Sequence, residues 1–199
     1  NIKNKETDKL LSCEEQIVKI AMKCISDSKN PNISNKERTV LLEDALKLLI
    51  TLWMKASDRL SPLTFTAIAE AYLLRSRIFR PKGVNVPEKK KESINKGITF
   101  AEKATSLDTV NTEALRIKGQ LLLELERIDE EAVKTEDLIK VFASAIKNGC
   151  TDFNNEEDIS IVLRFAELTN NTEYATEISK SGLKEMELEK ARACKVTKD

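Results

Sequence analysis

The stretch AEKATSLDTVNTEALRIKGQLLLEL, Ala101 to Leu125, decides the fold. It reads as the end of one helix, a turn, and the start of the next. Ala101 and Ala104, with Gly97 just upstream, lie three and four residues apart, so three small residues share one helix face. Leu107 and Asp108 lead into the turn, and the following helix carries Gly119 between Leu115 and Leu122. Gly119 falls twenty-two residues after Gly97. Two helices that pack closely need a missing side chain where they cross. A bulky residue there pushes the backbones apart, at about 1–3 kcal/mol of overpacking.

Helical periodicity continues in both directions. An N-terminal helix is expected over about residues 6–28, with Leu10, Leu11, Ile17, Val18, Ala21, Cys24 and Ile25 at helical spacing. Pro31 breaks it, and Ser34 followed by Glu37 forms a capping box that starts a helix running to about Arg59. Val40, Leu41, Ala45, Leu48, Leu49, Leu52 and Trp53 make its apolar positions. Ser61 caps a third helix with Pro62 at the preferred first position, and Phe65, Ile68, Ala69, Tyr72, Leu73 and Ile78 line it. Two prolines and a glycine make Arg80 to Lys90 the one long loop expected. The helices on either side of the Asp108 turn follow, ending near Asp108 and Asp129. Another runs from about Lys134 to Asn148 with Gly149 as its C-terminal cap. The last two are expected over about residues 155–168 and 171–193, the second as a terminal capping helix. That makes about eight helices, joined mostly by connections short enough to make neighbours antiparallel.

Composition agrees with an all-α chain of 199 residues. Only five Gly and four Pro occur, too few for the turns of a sandwich or a Rossmann fold. Thirty-three basic and thirty-three acidic residues cancel, which argues against a nucleic-acid binder that must neutralise phosphates. Lys89, Lys90 and Lys91 form the one block of like charge, read as a solvated helix start before an anion patch. No apolar run reaches the length of a transmembrane helix, so a soluble protein is expected, cytoplasmic by default and exported if a leader precedes Asn1.

The segment Ala101 to Leu125 resembles the join between two tetratricopeptide repeats, in which a second helix ends on small residues and the next first helix carries a small crossing residue. The same register extends upstream through Ala45 and Leu49, then Ala69 and Tyr72. Downstream it extends through Leu138, Phe142 and Ala145, then Ser160. Ala175, Ser179 and Gly182 make a further small-residue stripe on the last helix. The resemblance covers about residues 36–185, with insertions around the Pro-rich loop and near Asp129 to Ala132. It implies a single domain over residues 1–199, a divergent antiparallel helix-hairpin array, with a plain helical bundle as the alternative. In that family the first helix of each pair lines a concave groove. The resemblance then implies a partner-binding face of Thr66, Glu70, Glu113, Arg116, Gln120, Glu124, Glu157 and Arg164 for another protein or peptide. Family members that clamp a C-terminal carboxylate present several Lys, Arg and Asn there. Arg116, Gln120 and Arg164 sit among acidic neighbours, which argues against such a clamp. Each of these residues also reads as an ordinary solvated helix position.

Other chemistries lack their parts. The chain has no histidine, and Cys13, Cys24, Cys150 and Cys194 form no C-x-x-C pair, so no metal site and no cofactor are expected. Cys13 and Cys24 lie about 16 Å apart on one helix and cannot bridge each other; the thiols read as buried and free, or one as bridged over long range to Cys194. The adjacent pairs Glu14-Glu15, Glu130-Glu131 and Glu156-Glu157 point to different sides of a helix and make no acid–base dyad. Trp53 is read as core, with an exposed binding anchor second. Val84 and Val86 in the long loop are read either as docking residues or as folding back. The rival functions are a small-molecule pocket between helices and self-assembly into a homo-oligomer, with catalysis the least supported.

Overall fold

The computed structural model describes residues 13–56, 59–78 and 86–171. Seven α-helices lie among them: α1 (Glu14–Ser28), α2 (Asn35–Ala56), α3 (Pro62–Ile78), α4 (Val86–Leu107), α5 (Thr112–Ile128), α6 (Thr135–Lys147) and α7 (Glu156–Thr169). A single 3₁₀ turn, Glu130–Ala132, follows α5, and no strand occurs among the described residues. The chain divides into two compact units, residues 1–133 and 134–199. The expected helix over 171–193, with Ala175, Ser179 and Gly182, lies outside the described residues, as do Leu10, Leu11, Val84 and Cys194.

In the first unit α3 is central, because it is apolar almost all round. Thr64 to Ala69, Ala71, Tyr72, Leu73 and Ser76 are buried. It packs against α2 and α4, its chain neighbours, and also against α1 and α5. Small residues sit at the contacts: Ala45, Ala69, Ala101 and Ala104 are fully buried, and Gly119 is buried on α5. At Gly97 a Cβ would stand 2.8 Å from Leu121 Cδ2 and 3.2 Å from Tyr72 Cβ, so α4 passes α3 and α5 where only glycine fits without displacement. Phe100 joins three helices, with Trp53 edge-on at 5.1 Å and Tyr72 and Phe65 stacked at 6.1 and 6.3 Å. Trp53 therefore packs on the core, as its spacing suggested.

The second unit pairs α6 with α7. Leu138, Phe142 and Ala145 of α6 are buried, as are Ile161, Val162 and Ala166 of α7. Gly149 takes φ 101°, a backbone conformation that favours glycine. The Cys150 N–H reaches Ala145 O at 3.0 Å and the Gly149 N–H reaches Ile146 O at 3.2 Å, completing a Schellman cap. Asn170, in the left-handed conformation, ends α7 in the same manner.

Local signals were met closely. Ser34 Oγ donates to Glu37 Oε2 at 2.7 Å while the Glu37 N–H returns to Ser34 Oγ at 3.2 Å, closing the capping box. That hydroxyl bond, with the Ser34 N–H, holds the Glu37 carboxyl below its ordinary pKa. Three expectations require correction. Val86 to Lys90 belong to the first turn of α4 rather than to the loop, because a proline at the second helical position gives up only an N–H that has no partner in that turn. Val40 and Leu48 are exposed, while Leu42 and Leu46 are buried, because α2 is apolar over more than one face and packing selects among them. Of the thiols expected to be buried, Cys150 is, Cys24 is half-buried, and Cys13 is exposed at the residue before α1; none of the three is in a disulfide.

Candidate functional site

The residues expected to line a groove fall into three environments. Thr66 is buried, its hydroxyl donating to Pro62 O at 2.8 Å, one turn back on α3. Gln120 and Glu124 are also buried, on the face of α5 that meets α3 and α4. Arg77 of α3 donates to Gln120 Oε1 at 3.0 Å, and its Nε lies 3.7 Å from Glu124 Oε1. Lys90 of α4 reaches Glu124 Oε2 at 3.0 Å, and Arg127 approaches Oε1 at 3.3 Å. Glu124 is thus the acceptor of an internal network, since a carboxylate removed from water requires charged partners. Lys91 adds a second tie to Asp129 at 2.5 Å, and that hydrogen bond holds the Asp129 carboxyl below its ordinary pKa. Lys90 and Lys91 therefore brace α4 on α5, which the reading of a solvated lysine run did not foresee.

The other five candidates are more accessible. Glu70 pairs with Lys29 at 2.5 Å, joining α3 to the end of α1. Glu113 is exposed and pairs with Arg116 along α5. In the second unit, Arg164 pairs with Glu167 at 2.8 Å, and the Glu157 N–H is capped by Asn155 Oδ1 at 2.9 Å. The structure thus brings Gln120 and Glu124 together with Arg77 and Lys90. Of the Glu113–Arg116 pair, the carboxylate side chain is half exposed and the Arg116 side chain 15% exposed.

Glu14 belongs to another long-range contact. A single oxygen, Oε1, accepts from the Ser61 N–H at 2.9 Å, the Ser61 hydroxyl at 2.7 Å and the Thr64 hydroxyl. Burial acts to raise the Glu14 pKa, but these three donors together outweigh it and hold the carboxyl below its ordinary value. The carboxylate thereby caps α3 from α1, where the helix dipole also favours negative charge. Its neighbour Glu15 points outward and is exposed, so the pair forms no dyad.

Two concavities of different character lie in the first unit. Between α1 and α2 an open apolar groove of about 540 Å³ is lined by Ile17, Ile20, Cys24, Leu48 and Leu52, with Asp44, Lys47 and Thr51 also at its wall. Ile20 is 57% exposed there. Between α3 and α4 a polar pocket of about 290 Å³ is lined by Tyr72, Arg75, Lys89, Glu92, Ser93 and Lys96. Within it Lys96 donates to Glu92 Oε1 at 2.6 Å. That bond lowers the Glu92 pKa and raises that of Lys96. The α4 members stand at i, i+3, i+4 and i+7, a spacing visible in the sequence; which helix faces them is not.

No three Cys, Asp or Glu side chains converge as a metal-ligand set among the described residues. No described helix is long and apolar enough to cross a membrane. The chain matches no protein-family model, and no curated protein is significantly similar to it.

Proposed function

We propose that the chain is a non-catalytic helix-hairpin array of the tetratricopeptide type that binds another protein or peptide on the face formed by its first helices. The packing order carries the reading. α1, α3 and α5 touch in succession, while α2 and α4 fold back as their hairpin partners. Gly97, Ala101 and Ala104 supply the small residues that a close hairpin crossing requires. On this reading α7, which carries Glu157 and Arg164, is the first helix of the next pair along the chain.

The internal network changes which residues of that face are available. Gln120 and Glu124 position α4 and α5, and Thr66 serves its own helix, so Glu113, with half of its side chain exposed, is the most accessible of the first unit's candidates, ahead of Glu70 and Arg116 at 15% each. An array of this kind acts by holding polar groups at fixed spacing for an extended peptide or a partner helix.

Affinity capture from the source lysate, run in parallel with Arg116→Glu, tests this. A partner retained by the wild type and lost by the folded variant is expected. A partner held equally by both would remove the face from consideration. A mass above that of one chain, with no second protein captured, would replace the adaptor reading by self-assembly.

A further inference from the structure

The apolar groove between α1 and α2 has no other helix in its wall among the described residues. Ile17, Ile20 and Cys24 form one side, and Leu48 and Leu52 form the other. Ile20 is 57% exposed and Leu48 37% exposed, beside half-buried Ile17 and Cys24. On α1 the lining runs i, i+3 and i+7; on α2 it runs i, i+3, i+4, i+7 and i+8 from Asp44. That spacing is what one helix presents to another. α1 and α2 are the first hairpin of the unit; α3 packs on both of them and does not line the groove. The end of a helical array stays soluble when its outer face is polar. This end is apolar.

The rim points to the occupant. Asp44 and Lys47 stand one turn apart on α2, exposed, at the wall of the groove and of opposite charge. Neither side chain has an ion pair or hydrogen bond among the described residues. A two-fold axis sets one patch against itself, so that residue i meets j and j meets i. Under that operation Asp44 of each copy faces Lys47 of the other, with the apolar residues meeting alongside. Thirty-three basic and thirty-three acidic residues cancel, so no net charge drives the copies apart. A small molecule is a poorer match, because ligand pockets enclose their ligand on most sides and this groove is open.

We propose that two copies of this chain associate through this groove, one α1–α2 hairpin against the other, in a four-helix arrangement. Ile20 and Leu48 of each copy enter the groove of the other, and two Asp44–Lys47 pairs flank the apolar centre. α1 has 15 residues, about 22 Å, and two adjacent helices are about 20 Å wide. The contact is then about 440 Å² on each copy, below the size of a permanent dimer. The dimer is therefore reversible, with an expected Kd of about 10–100 µM. Glu113 and Arg116 lie on α5 and take no part, so the dimer stands independently of the partner face proposed above.

Sedimentation equilibrium of the full chain from about 1 µM to about 1 mM tests the association. The mass should rise from that of one chain towards twice that value. Ile20→Glu should weaken the dimer by about tenfold or more, since each dimer contains the residue twice. Val110→Glu, at a comparably exposed apolar position outside the groove, and Arg116→Glu should leave it unchanged. Asp44→Lys and Lys47→Glu should each weaken it alone, because like charges then face each other across the axis. Mixing those two variants should restore association, because every facing pair is again opposite in sign. A mixture that stays as weak as its components would refute the two-fold pairing. A monomer at every concentration, or a dimer indifferent to Ile20→Glu, would overturn the proposal. In a chain that stays monomeric, a thermal midpoint lowered by Ile20→Glu would give the groove to another segment of the same chain.

Discussion

Replacing Gly97 with alanine sets two effects of similar size against each other, and the structure decides the sign. In a helix interior the change to alanine gains about 0.8–1 kcal/mol of intrinsic propensity. Against that, the new methyl would stand 2.8 and 3.0 Å from the two Cδ atoms of Leu121 and 3.2 Å from Tyr72 Cβ. Carbon atoms prefer about 3.5–4.0 Å. Leu121 is 0% exposed and cannot swing into solvent. Tyr72 Cβ sits next to its own backbone and moves only if α3 moves. Overpacking of this kind costs about 1–3 kcal/mol, so Gly97→Ala should destabilise the first unit by about 1 kcal/mol net. Urea unfolding followed by Trp53 fluorescence reads it directly, since Trp53 is the sole tryptophan and packs on Phe100 of the same helix. Repeating the change in a Leu121→Ala background removes the obstructing methyls, and there it should stabilise, with a coupling of about 1–2 kcal/mol. A single variant more stable than the wild type by the full propensity gain, or a coupling near zero, would refute the close crossing of α4 and α5.

Two further predictions concern capping, and they stand beside the one attached to the proposed partner face. Glu14→Ala removes the shared acceptor of Ser61 and Thr64 and should cost about 2 kcal/mol at pH 7. Because the folded-state pKa of Glu14 is depressed, its stabilisation is present above the unfolded value of about 4.5 and is lost as pH falls through the folded pKa. The wild type and Glu14→Ala should therefore converge in stability below that range, and a constant gap at all pH values would contradict the charged cap. In the second unit, Gly149→Ala forces a side chain onto φ 101° and should cost about 1 kcal/mol. Hydrogen exchange of the Gly149 and Cys150 amides should accelerate in that variant, and unchanged protection would count against the cap.

What the sequence determined by itself was local. Ser34 with Glu37, Ser61 with Pro62, and Gly149 after Lys147 each place a helix end using residues within one turn, so composition and spacing suffice. The alternation of apolar positions marked α1 and α3, and the small residues Gly97, Ala101 and Ala104 marked a close crossing. Tertiary structure decided what depends on residues distant in sequence. Where α2 reads as apolar over several faces, only contact with its neighbours selects Leu42 and Leu46 for the core and leaves Val40 and Leu48 outside. Gln120 and Glu124 look like solvated helix positions, and become buried because Arg77 arrives from α3 to hydrogen-bond Gln120 and Lys90 from α4 to pair with the Glu124 carboxylate. Glu14 caps a helix that begins nearly fifty residues later. The polar pocket between α3 and α4 joins a stripe on α4, readable as spacing, to Tyr72 and Arg75 on α3, which only the packing of the two helices brings opposite. Periodicity specifies which residues share a face of their own helix; what that face meets is set by the packing free energy of the whole unit.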